Sequence, residues 1–256
     1  MSRLDSAFGA ERTALVIYLC AGDPSLEVTP DLIVAAAEAG ADVIEVGMPF
    51  SDPTADGPTI QAASERALAG GATLTLVLGA VKAARERTQV PIVLFGYYNP
   101  ILHYGEAALA KDAADAGVDG LLVVDLPPEH AAPLLEPMRE HGLDFVPLLA
   151  PTSTPARVAA AVSVAGSFIY YVSMTGVTGT AGAPLELASQ RAAELAAETG
   201  KPVVVGFGVR TAEDVATVAA HADGVVVGSA VVRAIDGSSD PVAAVTSIVS
   251  ELASGR

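Results

Sequence analysis

The feature that most constrains the fold is a regular alternation of short, β-branched apolar runs with Ala-rich stretches of helical length. The eight apolar runs, each four to six residues long, cover residues 14–19, 43–46, 92–97, 120–124, 145–149, 168–172, 202–206 and 224–227. Strands separated by helical segments are typical of βαβ units, in which crossover helices join parallel strands. The alternation therefore predicts an α/β chain with a parallel sheet.

The segments between these runs have the composition and length of helices. Helices are predicted over residues 59–69, 74–87, 106–116, 131–141, 211–219 and 242–252. Three junctions into a strand share one phrase: Ala39-Gly-Ala-Asp, Ala116-Gly-Val-Asp and, shortened, Ala222-Asp-Gly. Glycine is the usual residue just past a helix end, so the phrase indicates a helix that closes and a strand that begins.

Eight such units without an intervening linker predict a single-domain (β/α)8 TIM barrel over residues 1–256. That length is typical of the barrel. A doubly wound open sheet uses the same βαβ units and is the alternative. The Gly-x-Gly-x-x-Gly fingerprint of dinucleotide-binding sheets does not follow the first run, which favours the barrel.

Charge and composition restrict the function. The formal net charge of -16 argues against nucleic-acid binding, which needs clustered Lys and Arg. The same charge repels a phosphorylated substrate, so its phosphate would need local backbone donors. The four histidines lack the spacing of metal ligands, and no metal is expected. The lone Cys20, the lack of a secretory signal and the lack of an apolar run near 18 residues predict a cytoplasmic protein without a membrane span.

Two carboxylates stand out around the second run. Glu45 lies inside the apolar stretch Val43-Ile-Glu-Val, where burial would raise its pKa and suit it to proton transfer. Asp56 lies in the following loop, which is rich in Pro and Gly. A salt bridge or a helix cap is the alternative role for Glu45, and a turn is the alternative for Asp56.

The loops after the seventh and eighth runs contain Gly206-Phe-Gly and Gly228-Ser. In barrels these loops commonly bind phosphate through backbone amides, with ordinary tight turns as the alternative. The sixth run is followed by residues 173–183, a stretch of small and hydroxyl-bearing residues. This composition indicates an active-site lid or, alternatively, a plain connection.

Residues 46–61, Val-Gly-Met-Pro-Phe-Ser-Asp-Pro-Thr-Ala-Asp-Gly-Pro-Thr-Ile-Gln, closely resemble the signature of the tryptophan synthase alpha subunit family. The resemblance implies a lyase of tryptophan biosynthesis that cleaves indole-3-glycerol phosphate into indole and glyceraldehyde 3-phosphate by a retro-aldol reaction. It also implies that Glu45 and Asp56 are the paired catalytic acids and that this chain carries no cofactor.

The resemblance implies three further groups of site residues. These are Tyr170 as a catalytic residue, Gly179, Gly208, Gly228 and Ser229 around the phosphate, and Tyr18, Phe95, Leu122, Thr178 and Phe207 around the indole. Tyr170 is chosen over the adjacent Tyr171 by counting back from Gly176-Val-Thr-Gly. Met174 stands where many family members carry Arg, so the contacts of that loop are expected to differ.

The family forms an allosteric α2β2 heterotetramer, in which indole passes to a beta subunit that holds pyridoxal phosphate. The resemblance implies such a partner for this chain, with pyridoxal phosphate on the beta subunit alone. Residues 49–53 and 99–104 resemble the contact surface, where Ile101 and Leu102 are expected to be exposed, with packing under a loop as the alternative. Two other functions remain open: a catalytically weak subunit that mainly activates its partner, and another phosphosugar-binding barrel enzyme.

Overall fold

The computed structural model describes residues 2–8, 12–172, 185–206 and 208–256. Within these ranges nine parallel strands form one sheet in the order β5-β4-β3-β2-β1-β9-β8-β7-β6. The strands are β1 (Ala14–Cys20), β2 (Val43–Gly47), β3 (Ile92–Gly96), β4 (Gly120–Val123), β5 (Asp144–Phe145), β6 (Leu148–Leu149), β7 (Ile169–Val172), β8 (Val203–Gly206) and β9 (Gly224–Val227).

The two ends of this sheet are joined through the chain itself. The end strands β5 and β6 are separated by only Val146 and Pro147. The Val146 N–H donates to the Leu121 carbonyl at 2.9 Å, and the Tyr170 N–H donates to the Pro147 carbonyl at 3.0 Å. The sheet therefore curls into the predicted barrel, and the alternative of an open doubly wound sheet is wrong.

The fifth apolar run, predicted as one strand, is two strands of two residues each. Pro147 has no backbone N–H, so it cannot donate a hydrogen bond within a continuous ladder. The other seven runs each contain one strand whose ends lie within one residue of the predicted ends.

Helices surround the sheet. In the described ranges they are α1 (Arg3–Ala7), α2 (Thr29–Glu38), α3 (Pro58–Ala69), α4 (Leu74–Arg85), α5 (Tyr98–Tyr104), α6 (Glu106–Ala116), α7 (Ala132–Glu140), α8 (Pro155–Val164), α9 (Leu185–Thr199), α10 (Ala212–Ala219), α11 (Ser229–Ile235) and α12 (Pro241–Ala253), with a 3-10 turn at Pro128–His130. All six predicted helices are present. No single helix of the described chain is long and apolar enough to span a membrane, and only α3 and α4 together, bent by 99°, reach that length and composition.

The strands are buried on both faces and separate two apolar cores. In β1, Leu15 and Ile17 pack towards the helices, whereas Val16 and Tyr18 belong to the core inside the barrel. This double burial explains why the strands appear as near-continuous apolar runs in the sequence. Glu45 lies two residues after Val43, a residue of the inner core, so its side chain also points into the barrel.

The N-terminal end of the barrel is closed by α1. Leu4 is fully buried in the inner core, and the ring of Phe8 packs 4.8 Å from that of Phe168. Ser2 and Asp5 form a capping box that fixes the start of the helix. The C-terminal end of the strands, where barrels carry their active sites, is the opposite end.

The repeated phrase at the helix–strand junctions has a second role that the sequence did not reveal. In each copy the aspartate accepts a hydrogen bond from the backbone N–H at the start of the preceding parallel strand. These bonds, each 2.8 Å long, join Leu15 to Asp42, Ile92 to Asp119 and Val203 to Asp223. The expected glycine cap is also present at the second copy, where Gly117 ends α6 with φ of 87°.

Candidate active site

Glu45 occupies the middle of β2 with its side chain inside the barrel and only 1% of its surface exposed. Within the described residues its Oε1 has no hydrogen-bond partner. Burial raises the pKa of Glu45 to about 8, since water is lost as a stabiliser of the charged form. The carboxyl group is therefore mostly protonated at neutral pH. A buried polar atom without a protein partner is costly, so this oxygen is left to bond a water molecule or a ligand group.

Two tyrosines share the interior with Glu45. Tyr18 is paired in register with Glu45 on the neighbouring strand β1, and Tyr170 projects inward from β7. Burial raises the pKa of both hydroxyl groups well above the ordinary value, and the charges of Glu45 and Asp56 raise them further. Such charge effects fall off with distance, so the two acids and the two phenols belong to one site.

Tyr171 points the other way, into the core between sheet and helices. Neighbouring residues of a strand face opposite sides, so only one of the two tyrosines can line the interior. The residue selected by the resemblance, Tyr170, is the one that faces the barrel interior.

Asp56 reaches the site from the loop between β2 and α3. The hydroxyl of Tyr97 donates to its Oδ2 at 3.0 Å and accepts from the Ala55 N–H at 3.0 Å. The Gln61 side-chain amide donates to the Asp56 carbonyl at 2.9 Å, and the ring of Phe50 packs 5.3 Å from that of Tyr97. Burial raises the pKa of Asp56 to about 6, and the Tyr97 hydrogen bond opposes that rise.

The two acids thus differ in protonation near pH 7. Glu45, with a pKa of about 8, holds a proton that it can donate. Asp56, with a pKa of about 6, is mostly ionised and can accept a hydrogen bond. Two carboxyl groups whose environments separate their pKa values are the arrangement used for acid–base chemistry at one site.

Glycines at the ends of β2 and β8 make room for the two phenols. A Cβ atom at Gly47 would overlap the ring of Tyr18, and one at Gly206 would overlap the ring of Tyr170. Both rings therefore lie across the carboxyl ends of adjacent strands, at the end of the barrel where Asp56 enters.

The three described residues of the predicted indole pocket lie together in the inner core. Tyr18 and Phe95 form an edge-to-face pair with ring centroids 5.3 Å apart, and Phe95 is paired in register with Leu122. Their contact surface is apolar and suits a flat aromatic ligand. The other two predicted members, Thr178 and Phe207, lie outside the described residues.

The predicted phosphate-binding residues are described in part. Gly208 follows β8 with φ of 91°, a conformation that favours glycine. Gly228 directly precedes α11 and packs against Tyr18, and the half-buried Ser229 begins that helix. Gly179 lies outside the described residues, as do Met174 and the rest of the loop 173–183.

One expectation about the surface is wrong. Ile101 of α5 is fully buried in the core between sheet and helices, whereas it was predicted to be exposed. The alternative, that this residue is packed and not exposed, is correct, since its side chain anchors α5 to that core. Leu102 is 55% exposed, as predicted.

Other reactive groups near the site have structural explanations. Cys20 is buried, its sulfur lies 3.9 Å from the Ser64 hydroxyl, and burial raises its pKa to about 12. The described residues contain no group of three His, Cys, Asp or Glu side chains that could hold a metal.

Tyr97 and Gln61 hold the Asp56 loop. Sequence reasoning placed Tyr97 among the strand-end residues that can face the pocket, but it gave neither residue a role. Gln61 ends the signature stretch, and Tyr97 closes the third apolar run at the carboxyl end of a strand. That strand-end position was the available signal for Tyr97. The partners it would meet, 41 residues away, could be known only from the fold.

Comparison with known proteins assigns the family. The sequence profile described as "Tryptophan synthase alpha chain" matches residues 4–254. A tryptophan synthase alpha chain from Geobacter sulfurreducens is 52% identical over 237 residues, which cover 91% of this chain and 90% of that relative. One from Desulfosudis oleivorans is 47% identical over 242 residues, covering 93% and 91%.

Solved structures agree with these relatives. The tryptophan synthase alpha subunit from Legionella pneumophila strain Paris superposes with a TM-score of 0.92 at 36% identity and covers 100% of this chain and 98% of its own. A chain of the aminoacrylate-bound Mycobacterium tuberculosis tryptophan synthase gives 0.89 at 39% identity, with 100% and 99% covered. The chain belongs to the tryptophan synthase alpha chain family, whose members are lyases of tryptophan biosynthesis.

Proposed function

We propose that this chain cleaves indole-3-glycerol phosphate into indole and glyceraldehyde 3-phosphate by a retro-aldol reaction. The observation that carries the proposal is the buried Glu45 carboxyl group, whose Oε1 lacks a partner within the described residues and whose charge, like that of Asp56, acts on the inward-facing Tyr18 and Tyr170. Family membership supports the reaction class, and the two carboxyl groups supply the proton chemistry that it needs.

Glu45 acts as general acid and then as general base. Its protonated carboxyl group donates a proton to C3 of the indole ring, which prepares the bond between C3 and the side chain for cleavage. The resulting carboxylate takes the proton of the side-chain hydroxyl as that bond breaks and its electron pair returns to the ring. Glu45 ends in its starting form, so no outside proton is consumed. Positioned proton transfer of this kind contributes about a hundred- to ten-thousandfold in rate.

Asp56 stabilises the charge that appears on the ring. Protonation of C3 gives an iminium-like ring nitrogen, whose N–H becomes a stronger donor. The Asp56 carboxylate accepts that hydrogen bond, which is worth more in a partly buried site than in water. Its pKa of about 6 keeps the group ionised at neutral pH.

The remaining residues orient the substrate. Tyr170 lines the interior, where the charges of both acids act on it, and Tyr18, Phe95 and Leu122 offer an apolar pocket for the indole ring. Backbone donors at Gly208, Gly228 and Ser229, together with Gly179, Thr178 and Phe207 outside the described residues, complete the proposed substrate site. Local donors are needed because the net charge of -16 repels a phosphate.

The partner is a tryptophan synthase beta subunit in an α2β2 complex, with residues 49–53 and 99–104 at the contact. Leu102, which is 55% exposed on α5, offers an apolar contact there. The reaction on this chain needs only proton transfer, so we assign no cofactor to it and expect pyridoxal phosphate on the beta subunit alone.

The test is release of indole from indole-3-glycerol phosphate by the purified chain, with and without a beta subunit. We expect slow release by the chain alone and faster release in the complex. Substrate binding without cleavage in both conditions would favour the catalytically weak activator subunit. No binding of indole-3-glycerol phosphate, with turnover of a different phosphosugar, would favour another barrel enzyme.

A further inference from the structure

The hydroxyl group of Tyr97 lies between the Asp56 carboxylate and the backbone of the same loop. It is 3.0 Å from Asp56 Oδ2 and 3.0 Å from the Ala55 nitrogen. Tyr97 follows directly after β3 and is buried, so a strand end of the rigid barrel carries this contact. None of the residues assigned to the proposed reaction performs this role.

The direction of both hydrogen bonds is fixed by their chemistry. The Ala55 amide can only donate, so the Tyr97 oxygen must accept there, and its own hydrogen is left for Asp56. A hydroxyl that donates to a carboxyl group favours the ionised form. Tyr97 therefore counteracts the rise in the pKa of Asp56 that burial causes.

The contact also distinguishes the two oxygens of Asp56. Tyr97 donates to Oδ2. Within the described part of the chain, no other side chain donates a hydrogen bond to this carboxylate. Gln61 holds the same loop through backbone carbonyls, at 2.9 Å from Asp56 and 3.4 Å from Pro53, and does not contact the carboxylate. Orientation of the acid and attachment of its loop thus depend on different residues.

We propose that Tyr97 is the positioning residue for Asp56: its hydroxyl holds Oδ2, so that Oδ1 is presented in ionised form to the N–H donor of the bound substrate. The identity of that donor rests on the proposed function, whereas the hold on the carboxylate does not.

The other titratable groups around Asp56 have pKa values that differ from its own. Its charge acts on Tyr18 and Cys20 of β1, on Tyr170 of β7 and on Tyr97 itself, and burial raises the pKa of all four. These groups stay protonated below pH about 9. The other interior acid, on β2, has a pKa of about 8, so Asp56 is the group among these that titrates near pH 6.

The variant Tyr97→Phe removes the hydroxyl and keeps the ring beside Phe50. We expect kcat at pH 6.5 to fall about ten- to hundredfold, the usual effect of losing a hydrogen bond to a charged group. KM should change less than kcat. The acidic limb should move to higher pH, so the loss shrinks near pH 8. Tyr98→Phe is the matched control, because its hydroxyl donates instead to Glu106 at 2.7 Å, and its profile should match the wild type.

A readout without substrate separates this inference from the proposed reaction. The Asp56 carboxyl carbon can be titrated by NMR in the ligand-free chain and assigned by loss of its signal in Asp56→Asn. We expect a higher pKa for Asp56 in Tyr97→Phe than in the wild type and in Tyr98→Phe. An unchanged pKa, or an acidic limb that does not move, would overturn the inference. If the wild type released no indole, the proposed function would fail, and the titration would still decide the role of Tyr97.

Discussion

Tyr18 and Glu45 are paired in register across β1 and β2, so a phenol ring lies on the strand beside a buried carboxyl group. The ring extends over Gly47, and Oε1 of the carboxyl group has no hydrogen-bond partner within the described residues. The Tyr18 ring and the unpartnered carboxyl group of Glu45 are therefore adjacent on two rigid strands. An aromatic substrate held against the Tyr18 ring would bring its own ring atoms close to that carboxyl group.

Glu45→Gln should abolish most indole release and leave the fold intact. Gln keeps the shape of the side chain but has no proton to transfer, so kcat should fall about a hundred- to ten-thousandfold. Indole release by the purified variant, alone and with a beta subunit, measures the effect, with circular dichroism as the check on folding. Near-normal turnover would remove Glu45 from the mechanism.

The same variant should become more stable relative to the wild type as pH rises. Burial raises the folded-state pKa of Glu45 from 4.5 to about 8, so the folded state binds the extra proton. The wild type keeps its full stability below the ordinary pKa of 4.5, where Glu45 is protonated in the folded and the unfolded state. It loses stability as pH rises through about 8. Each pKa unit corresponds to about 1.4 kcal/mol. Urea unfolding at pH 5.5 and pH 9 tests this, and an equal difference at both values would contradict it.

The pH profile of kcat/KM should be bell-shaped with a maximum near pH 7. Activity needs ionised Asp56, whose pKa is about 6, and protonated Glu45, whose pKa is about 8. Activity should therefore fall below the first value and above the second. The profile of the isolated chain with saturating and limiting substrate measures both limbs, and a flat profile from pH 5 to 9 would refute the assignment.

Asp119→Ala should destabilise the barrel. Asp119 accepts from the Ile92 N–H at 2.8 Å and pairs with the half-buried Arg85 at 3.0 Å. Removing the side chain leaves both groups without this partner, as well as the exposed Arg3, which pairs with Asp119 at 2.9 Å. The expected loss is about 2–4 kcal/mol. The control Asp31→Ala breaks an exposed pair with Arg87 and should cost less than about 1 kcal/mol. Urea unfolding compares them, and equal losses would show that the aspartate bond is unimportant.

Gly47→Ala should lower both stability and activity. The added methyl group would overlap the Tyr18 ring, and overpacking of this kind costs about 1–3 kcal/mol. Displacement of Tyr18 should also raise KM. Gly79→Ala on α4 is the matched control, because its Cβ would contact nothing within 4 Å, and it should be neutral or stabilising by about 0.4–1 kcal/mol. Thermal unfolding and indole release are measured for both variants. A Gly47→Ala chain with normal stability and KM would show that the Tyr18 ring does not need the space above Gly47.

Much of the fold and part of the site were predictable because they depend on local pattern. The barrel strands are buried on both faces, so they occur in the sequence as apolar runs. Glu45 could be identified as a candidate because it interrupts one of these runs. The loop with Asp56 is visible because its Pro and Gly residues exclude regular structure. Seven runs and six helices follow from such signals.

The same burial on both faces conceals which face of the sheet a residue occupies. Tyr170 and Tyr171 can both be buried, and composition alone does not distinguish a residue that faces the barrel interior from one that faces the helices. Pro147 divides the fifth run, and whether its neighbours pair with β4 or β7 depends on closure of the sheet. Ile101 was expected at the surface because its segment resembles the contact surface of the family. Its burial became visible only from the packing of α5 on the core.

The sequence by itself determined which elements form and which acids interrupt them, because periodicity and residue type act over a few neighbouring positions. Only the tertiary structure decided which groups meet. Tyr97 and Asp56 are separated by 41 residues, and Tyr18 and Glu45 by a full βα unit. The curvature and register of the closed sheet bring each pair together. With them come the burial that raises the pKa of both acids and the hydrogen bond that opposes this rise at Asp56.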